Sequence, residues 1–260
     1  IHERHRVDYE RISGRPVIAP RFLDVSAFDC LHVDGDLRRM ISTVGLDQFT
    51  EIRAPAYIEP TLEFVSSFSY LPTEGSVKYR LMSRNFIVPL EIWREIFSFP
   101  TPTAVDFPSR SVAREFWGQI AHITTHADRW RPGDSREKVI FHPAFRLAHR
   151  IFSEMLLART ETPQKIRQGE LFSLYCMVTG GFPDFGLILA EDLHKIKAKA
   201  KGDICCGGLV THIAAFHDMD LSACTMVAGP KPLGLQEMIT RRILVPRGLT
   251  TSYVAMPWEL

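Results

Sequence analysis

The chain has 260 residues, of which 45% are hydrophobic and 23% are charged, and its 31 Lys and Arg nearly balance its 30 Asp and Glu. This is the composition of an ordinary globular protein, which excludes global disorder, and a chain of this length can bury a real core without disulfides or metal. The formal net charge of +1 excludes a strong whole-protein attraction to nucleic acid or anionic membranes, so any nucleic-acid contact must come from a local patch.

The cysteine content and the ends of the chain bear on its compartment. Five unevenly placed cysteines favour a reducing compartment, cytoplasm or nucleus, over a disulfide scaffold. No run of about 18 apolar residues is present and the first residues are charged, so we expect neither a membrane span nor a signal peptide. The chain starts at Ile1 instead of Met, from which we expect a piece of a longer protein.

The first hundred residues predict short helices and one hairpin. Two prolines make residues 15–22 extended, and apolar residues at helical spacing over 37–44 predict a helix that Gly45 ends. A second helix is predicted from Pro60 to Phe68. Residues 76–89 alternate polar and apolar side chains around a polar turn, which predicts a β-hairpin, and a short helix follows it.

Residues 100–110 contain three prolines and form the best linker candidate, so the single domain predicted for 1–260 has a possible subdomain seam between 1–99 and 111–260. Helical periodicity then dominates. The segment 169–178 is apolar nearly all round and is predicted to be the buried central helix. The predicted fold class is therefore mainly α, a compact multi-helix domain with a small β-hairpin. The helices predicted after the linker cover 112–126, 144–157, 169–178, 185–197, 208–216 and 235–243.

Two groups of residues resemble metal ligands. His122 and His126 would share a helix face, but no Glu follows His122, no third ligand is evident, and no two cysteines stand three apart as in retroviral-type integrases. The densest group of soft ligands fits no zinc finger, ribbon or knuckle, so buried small side chains are favoured over a metal site. A Cys-His nucleophile pair stays open, because such partners meet in space rather than in order. The metal candidates in this second group are Cys205, Cys206 and His212, with His217 and Cys224 nearby.

The segment 202–208 (GDICCGG) precedes a predicted helix, where glycines can cradle phosphate. It lacks the spacing of the known phosphate-binding loops, so we expect Asp203 to be the N-cap and the glycines to allow close helix packing. No cofactor is predicted.

One basic stretch stands out, because four lysines fall within residues 195–201. At helical spacing they divide between two faces, and no aromatic residues interleave with them, so a solvated helix end is favoured over an RNA patch. Arg146, His149, Arg150 and Arg159 could add positive surface. The nucleic-acid-binding candidates are therefore Lys195, Lys197, Lys199, Lys201, Arg146 and Arg150.

Five segments, taken together and in order, resemble the Athila-type plant retrotransposon protein family, a region of that element's first open reading frame. They are TLEFVSSF (61–68), KYRLMSRNFIVPLEIWREIFSFP (78–100), FHPAFRLAHRIF (141–152), GELFSLYCMV (169–178) and GDICCGGLVTHIAAF (202–216). The block ending at Phe99 and Pro100 is also similar to the plant mobile domain.

The resemblance implies an element-encoded or domesticated plant protein, a Gag-like or accessory piece with no established catalytic residues to carry over. The sequence lacks the protease, reverse-transcriptase and zinc-knuckle motifs of retroelement enzymes. The leading hypothesis is a non-enzymatic interaction domain that self-associates or binds a protein partner. The alternative is a nucleic-acid-binding module for RNA or DNA, and a metal-supported fold around Cys205, Cys206 and His212 is a third possibility.

Overall fold

The computed structural model describes residues 3–24, 34–123, 129–159, 161–199, 201–227, 229–233, 244–246 and 253–255. Within these ranges the fold is mainly α with one three-stranded antiparallel sheet, which confirms the predicted fold class. The α-helices are α1 Glu3–Ile12, α2 Asp34–Thr43, α3 Asp47–Thr50, α4 Ile58–Ser67, α5 Leu90–Ile96, α6 Arg110–Ile120, α7 Pro143–Arg150, α8 Gln168–Thr179, α9 Phe185–Ile196 and α10 Gly207–Phe216. The strands are β1 Arg21–Leu23, β2 Ser69–Leu71, β3 Ser76–Leu81, β4 Arg84–Pro89, β5 Lys231–Leu233, β6 Leu244–Pro246 and β7 Tyr253–Ala255.

The predicted hairpin is formed by β3 and β4, and β2 adds a third strand to it that the sequence did not predict. The hairpin turns at Met82 and Ser83, which have positive φ of 48° and 64°, the conformation that matches the twist of a two-residue hairpin. Glu63 of α4 supports the turn by accepting hydrogen bonds from the Ser83 amide at 3.1 Å and from Arg80 Nε at 2.7 Å. This support explains how residues other than glycine hold the turn.

Helices α4 and α8 each pack against several other elements. Helix α4 contacts α1, β3 and α10, and helix α8 contacts α2, α6 and α7. The buried residues of α8 confirm its predicted place in the core. Because α2 lies before the proline-rich segment 100–110 and packs on α7 and α8 after it, elements on both sides of that segment contribute to one hydrophobic core.

Two predicted helices have different bounds. Helix α6 ends at Ile120 because residues 121–122 pair with residues 139–140: the His122 amide donates to the Val139 carbonyl at 2.8 Å, and Ala121 forms a bridge with Ile140. This long-range pairing overrides the helical periodicity of 112–126. The helix predicted over 144–157 is divided into α7 and a π-helix, Ile151–Leu156.

Residues 15–22 are extended as expected, with a bridge from Val17 to Ile204, and β1 pairs in parallel with β5. The helix predicted over 235–243 lies outside the described residues, as do His126 and Cys30. In the part of the chain that the structure describes, no helix is long and apolar enough to cross a bilayer.

Candidate functional site: a buried charge network beside a basic cleft

Six charged side chains meet in the core where four segments converge: the 3-10 turn Glu137–Val139, the end of α7, the π-helix with Arg159 just after it, and the first turn of α8. None of them is more than 7% exposed. We call this group the buried charge network, and its members are Glu137, His149, Arg150, Glu154, Arg159 and Glu170.

His149 lies at the centre of the network and is fully buried. Its Nδ1 is 3.0 Å from Glu137 Oε2 and its Nε2 is 3.3 Å from Glu170 Oε2, so both ring nitrogens face carboxylates. Burial by itself would lower the pKa of His149, but the hydrogen bonds and charges of the two carboxylates outweigh it and raise that pKa to about 9. The ring is therefore an imidazolium at neutral pH, with both N–H groups donating.

The two carboxylates respond in the opposite direction. Burial would raise the pKa of Glu137 and of Glu170, but the hydrogen bond from His149 and the neighbouring positive charges lower both. Glu170 also accepts a hydrogen bond from the Arg167 backbone amide at 2.7 Å, which places it at the N-terminus of α8, where a negative charge is favoured. Both carboxylates are therefore ionised at neutral pH.

Two arginines complete the network. Arg150 forms ion pairs with Glu137 and with Glu154, the latter at 2.8 Å, and Arg159 pairs with Glu170. Three carboxylates thus face three cations, so the charges of the network balance. The Nε atoms of Arg150 and Arg159 are buried without a hydrogen-bond partner among the described residues, so two hydrogen-bond donors of the network are unsatisfied there.

The predicted positive surface at Arg146 and Arg150 is wrong, because both side chains are 5% exposed. Arg146 Nε donates to the Ile140 carbonyl at 2.7 Å, and Arg150 belongs to the network. His149 and Arg159, which were expected to extend that surface, are buried for the same reason. Apart from the pair of Arg150 and Glu154, the ion pairs of the network join residues that are 11 or more apart in sequence, so no local pattern indicated them. The residues that sequence reasoning missed are Glu137, Glu154 and Glu170, of which Glu154 alone had a signal, its helical spacing of four from Arg150.

An imidazolium between carboxylates could in principle transfer protons, but a substrate must reach it within hydrogen-bonding distance. The His149 side chain is fully buried, so it offers no exposed atom for a substrate in solution to contact. The network instead joins four segments through charge-assisted hydrogen bonds. The π-helix contributes to it, since its Glu154 lies one turn after Arg150.

A small basic cleft lies beside the network, with Arg159 contributing to both. Its volume is about 60 Å³, so it has room for a small ion rather than for a polymer. Lys195, Lys199 and Lys201 line it, together with the carboxylates of Glu161 and Asp192. Lys195 Nζ lies 3.6 Å from Asp192, and Lys199 Nζ lies 3.9 Å from Glu161, so the cleft is less positive than its lysines indicate.

The fourth lysine, Lys197, lies apart from the cleft. Its Nζ donates to the Phe68 carbonyl at 2.6 Å and to Ser69 Oγ at 2.9 Å, and burial lowers its pKa. Lys197 therefore fastens the end of α9 to the start of β2. The structure thus brings together three of the four lysines that the sequence identified.

The metal candidates do not converge. Cys206 is buried at the N-cap of α10, Cys205 Sγ donates to the Ala158 carbonyl at 2.6 Å, and His212 Nε2 lies 2.8 Å from the Ile96 carbonyl. No group of three or more His, Cys, Asp and Glu among the described residues is arranged to hold a metal ion. Burial raises the pKa of both thiols, which disfavours the thiolate that a ligand or nucleophile requires.

The glycines of 202–208 serve packing, as expected. A Cβ on Gly207 would lie 2.4 Å from Ala56 Cβ, and one on Gly208 would lie 2.8 Å from Pro20 Cβ. The first turn of α10 therefore packs closely against Ala56 and Pro20. The expected N-cap, Asp203, is wrong, because α10 begins at Gly207 with Cys206 as its N-cap.

The network, α2 to α8 and the three-stranded sheet all lie within residues 9–179, and that stretch matches the family model of the ATHILA ORF-1 family. The chain belongs to the ATHILA ORF-1 family. This confirms the resemblance found in the sequence and makes the chain a retrotransposon-derived protein. The lysines of the basic cleft lie beyond the matched residues. Neither a curated protein nor a solved structure matches the chain.

Proposed function

We propose that this ATHILA ORF-1 protein is a non-enzymatic interaction domain, a Gag-like or accessory part of a retrotransposon-derived protein. The observation that carries the proposal is that the residues of the buried charge network pair with one another instead of facing solvent. Its three carboxylates and three cations face each other, and its central His149 is fully buried. These ionisable groups are buried and paired with one another, and they hold α7, the π-helix and α8 together.

The energetic balance of such a network supports a structural role. Removing charges from water is costly, and mutual attraction offsets that cost only when geometry is good and the charges are matched. Replacing one member leaves an uncompensated buried charge, which typically costs about 3–5 kcal/mol. The network therefore favours one arrangement of its four segments, and recognition is left to the surface of the resulting scaffold.

Self-association or binding of a protein partner is the interaction that we propose for this surface. Several large apolar side chains remain on the described surface instead of in the core. The most exposed are Val105 at 84%, Ile87 at 63%, Met226 at 59% and Val178 at 58%. Concentration-dependent sedimentation of the full chain measures self-association, for which we expect the mean mass to rise with protein concentration.

A turnover assay tests the non-enzymatic part of the proposal. The purified chain is incubated with nucleoside triphosphates and with RNA and DNA, and products are measured for wild type, Glu170→Gln in the network and Glu115→Gln on the exposed face of α6. We expect no product from any of the three proteins. Turnover by the wild type that is lost in Glu170→Gln but kept in Glu115→Gln, with helicity unchanged by circular dichroism, would refute the proposal.

A further inference from the structure

Two adjoining cavities on the described surface border a group of residues that we call the arginine-tryptophan surface: Arg110, Arg114, Arg129, Trp130 and Arg131. The larger cavity has a volume of about 630 Å³ and the smaller about 460 Å³. Both are lined by Arg114 and Trp130, which makes these two residues the common wall of one extended depression. The surface is separate from the buried charge network and from the basic cleft.

Trp130 is held in place by the core. Its ring centroid lies 5.3 Å from that of Trp117, which is fully buried in α6. Trp130 itself is only half-buried, so part of the indole remains available at the cavities. An aromatic ring fixed on one side and accessible on the other is a platform on which a planar group can stack at little cost in conformational entropy.

Among the described residues, four arginines and one carboxylate, Asp106, line the cavities beside this platform. Arg110 and Arg114 are exposed on successive turns of α6, and Arg129 and Arg131 are exposed on either side of Trp130. None of the four guanidinium groups forms an ion pair with another residue that the structure describes. They differ in this respect from the lysines of the basic cleft, which lie near carboxylates.

One further feature favours an anion at this position, and one carboxylate opposes it. Asp106 is the one carboxylate among the residues lining the larger cavity in the described structure, and it accepts hydrogen bonds from Gln168 Nε2 at 3.2 and 3.1 Å. The cavity also includes Ser109, the N-cap of α6, so the positive end of that helix faces the same space. The local field is therefore positive although the whole chain is nearly neutral.

We propose that the arginine-tryptophan surface binds single-stranded nucleic acid, with a base stacked on Trp130 and phosphates held by the four arginines. The proposal goes beyond the proposed function, because it gives the interaction domain a nucleic-acid partner in addition to a protein partner. A single strand fits better than a duplex, since the bases of a duplex are stacked on each other and its backbone would hold them away from a half-buried indole. An acidic peptide supplies negative charge, but its acidic side chains carry no aromatic ring to stack on Trp130.

Fluorescence anisotropy tests the proposal on the full chain. The probe is a labelled single-stranded RNA of about 12 nucleotides, a length that spans a typical site. The variants are Trp130→Leu, Trp130→Phe and the pair Arg114→Ala with Arg131→Ala. A pair in the basic cleft, Lys195→Ala with Lys199→Ala, removes the same charge elsewhere. Circular dichroism checks that every variant is folded. Trp130→Phe keeps an aromatic ring for the contact with Trp117, so it still tests the proposal if Trp130→Leu does not fold.

We expect Trp130→Leu to weaken binding about 10-fold and Trp130→Phe to restore most of it, because stacking on one aromatic ring contributes about 1–3 kcal/mol per base. The slope of log affinity against log salt should be about −3 for the wild type, because each of four phosphate contacts in a single strand contributes about −0.7. The double arginine variant loses two of these contacts, so the magnitude of its slope should be smaller by about 1.4. The lysine pair should leave affinity unchanged.

Three outcomes would overturn the proposal: no binding by the wild type at low salt, equal loss in the arginine and lysine pairs, or competition by polyglutamate as strong as by the unlabelled RNA. The last outcome would assign the surface to acidic peptides. Failure here leaves the interaction domain without this partner, whereas failure of the proposed function is seen separately, as turnover that depends on Glu170.

Discussion

The protonation of His149 should make the stability of this protein depend on pH in a window where few other groups titrate. In the folded chain its pKa is raised to about 9, against 6.5 for an unperturbed histidine. Folding therefore favours the protonated ring, and the stabilisation is complete below about pH 6.5 and lost as the pH rises through about 9. The lowered pKa values of Glu137 and Glu170 act at the acid end instead, where stability is lost as the pH falls through them.

The size of the effect follows from the two pKa values of His149. At about 1.4 kcal/mol per pH unit, the difference between about 9 and 6.5 corresponds to about 3 kcal/mol of unfolding free energy. A domain of ordinary stability has only about 5–15 kcal/mol. The loss is therefore large enough to be measured.

Equilibrium urea unfolding between about pH 6.5 and pH 9 measures this loss. Wild type should lose about 3 kcal/mol across the window, whereas His149→Gln should start less stable and vary little with pH. The matched control is His142→Asn, at a histidine side chain that is 40% exposed, because asparagine keeps the N-cap of α7. The control should follow the wild-type profile. Parallel pH profiles for wild type and His149→Gln would show that His149 is not protonated by the network.

Two further predictions test the packing around α10. Gly207→Ala should lower the free energy of unfolding by about 2 kcal/mol, the cost of overpacking, because its Cβ would lie 2.4 Å from Ala56 Cβ. The control is Gly169→Ala, whose Cβ would have nothing within 4 Å and should not destabilise the protein. Equal urea midpoints for the two variants would contradict the contact with Ala56. Alkylation of the native chain at neutral pH, followed by peptide mass mapping, should modify Cys224 before Cys206, since Cys206 is fully buried and its pKa is raised to about 12. Equal rates at the two thiols would contradict the burial of Cys206.

Local patterns in the sequence were sufficient for much of the fold. The hairpin at 76–89 and the buried helix at 169–178 were found from alternation and from apolar content, because side-chain periodicity is a property of each element by itself. The strand β2 was missed, since three residues are too few to show a period. The end of α6 was misplaced because residues 121–122 pair with a segment that lies about twenty residues later.

The candidate sites were less accessible to sequence reasoning. The sequence predicted Arg146 and Arg150 to be exposed, because arginine is rarely buried without a partner and no partner was evident. Trp130 and Arg114 lie sixteen residues apart and carry no shared motif, although they line the same depression. In both cases the local sequence describes the side chains but not their neighbours.

What the sequence by itself determined is the helical character of the chain, its hairpin and its membership of the ATHILA ORF-1 family, because these depend on order and periodicity along the chain. What only the tertiary structure decided is which charges are buried and which are free. His149 meets Glu137 and Glu170 across separations of 12 and 21 residues. Such pairs form because burial makes an unmatched charge costly, and that cost arises only when the distant segments have packed together.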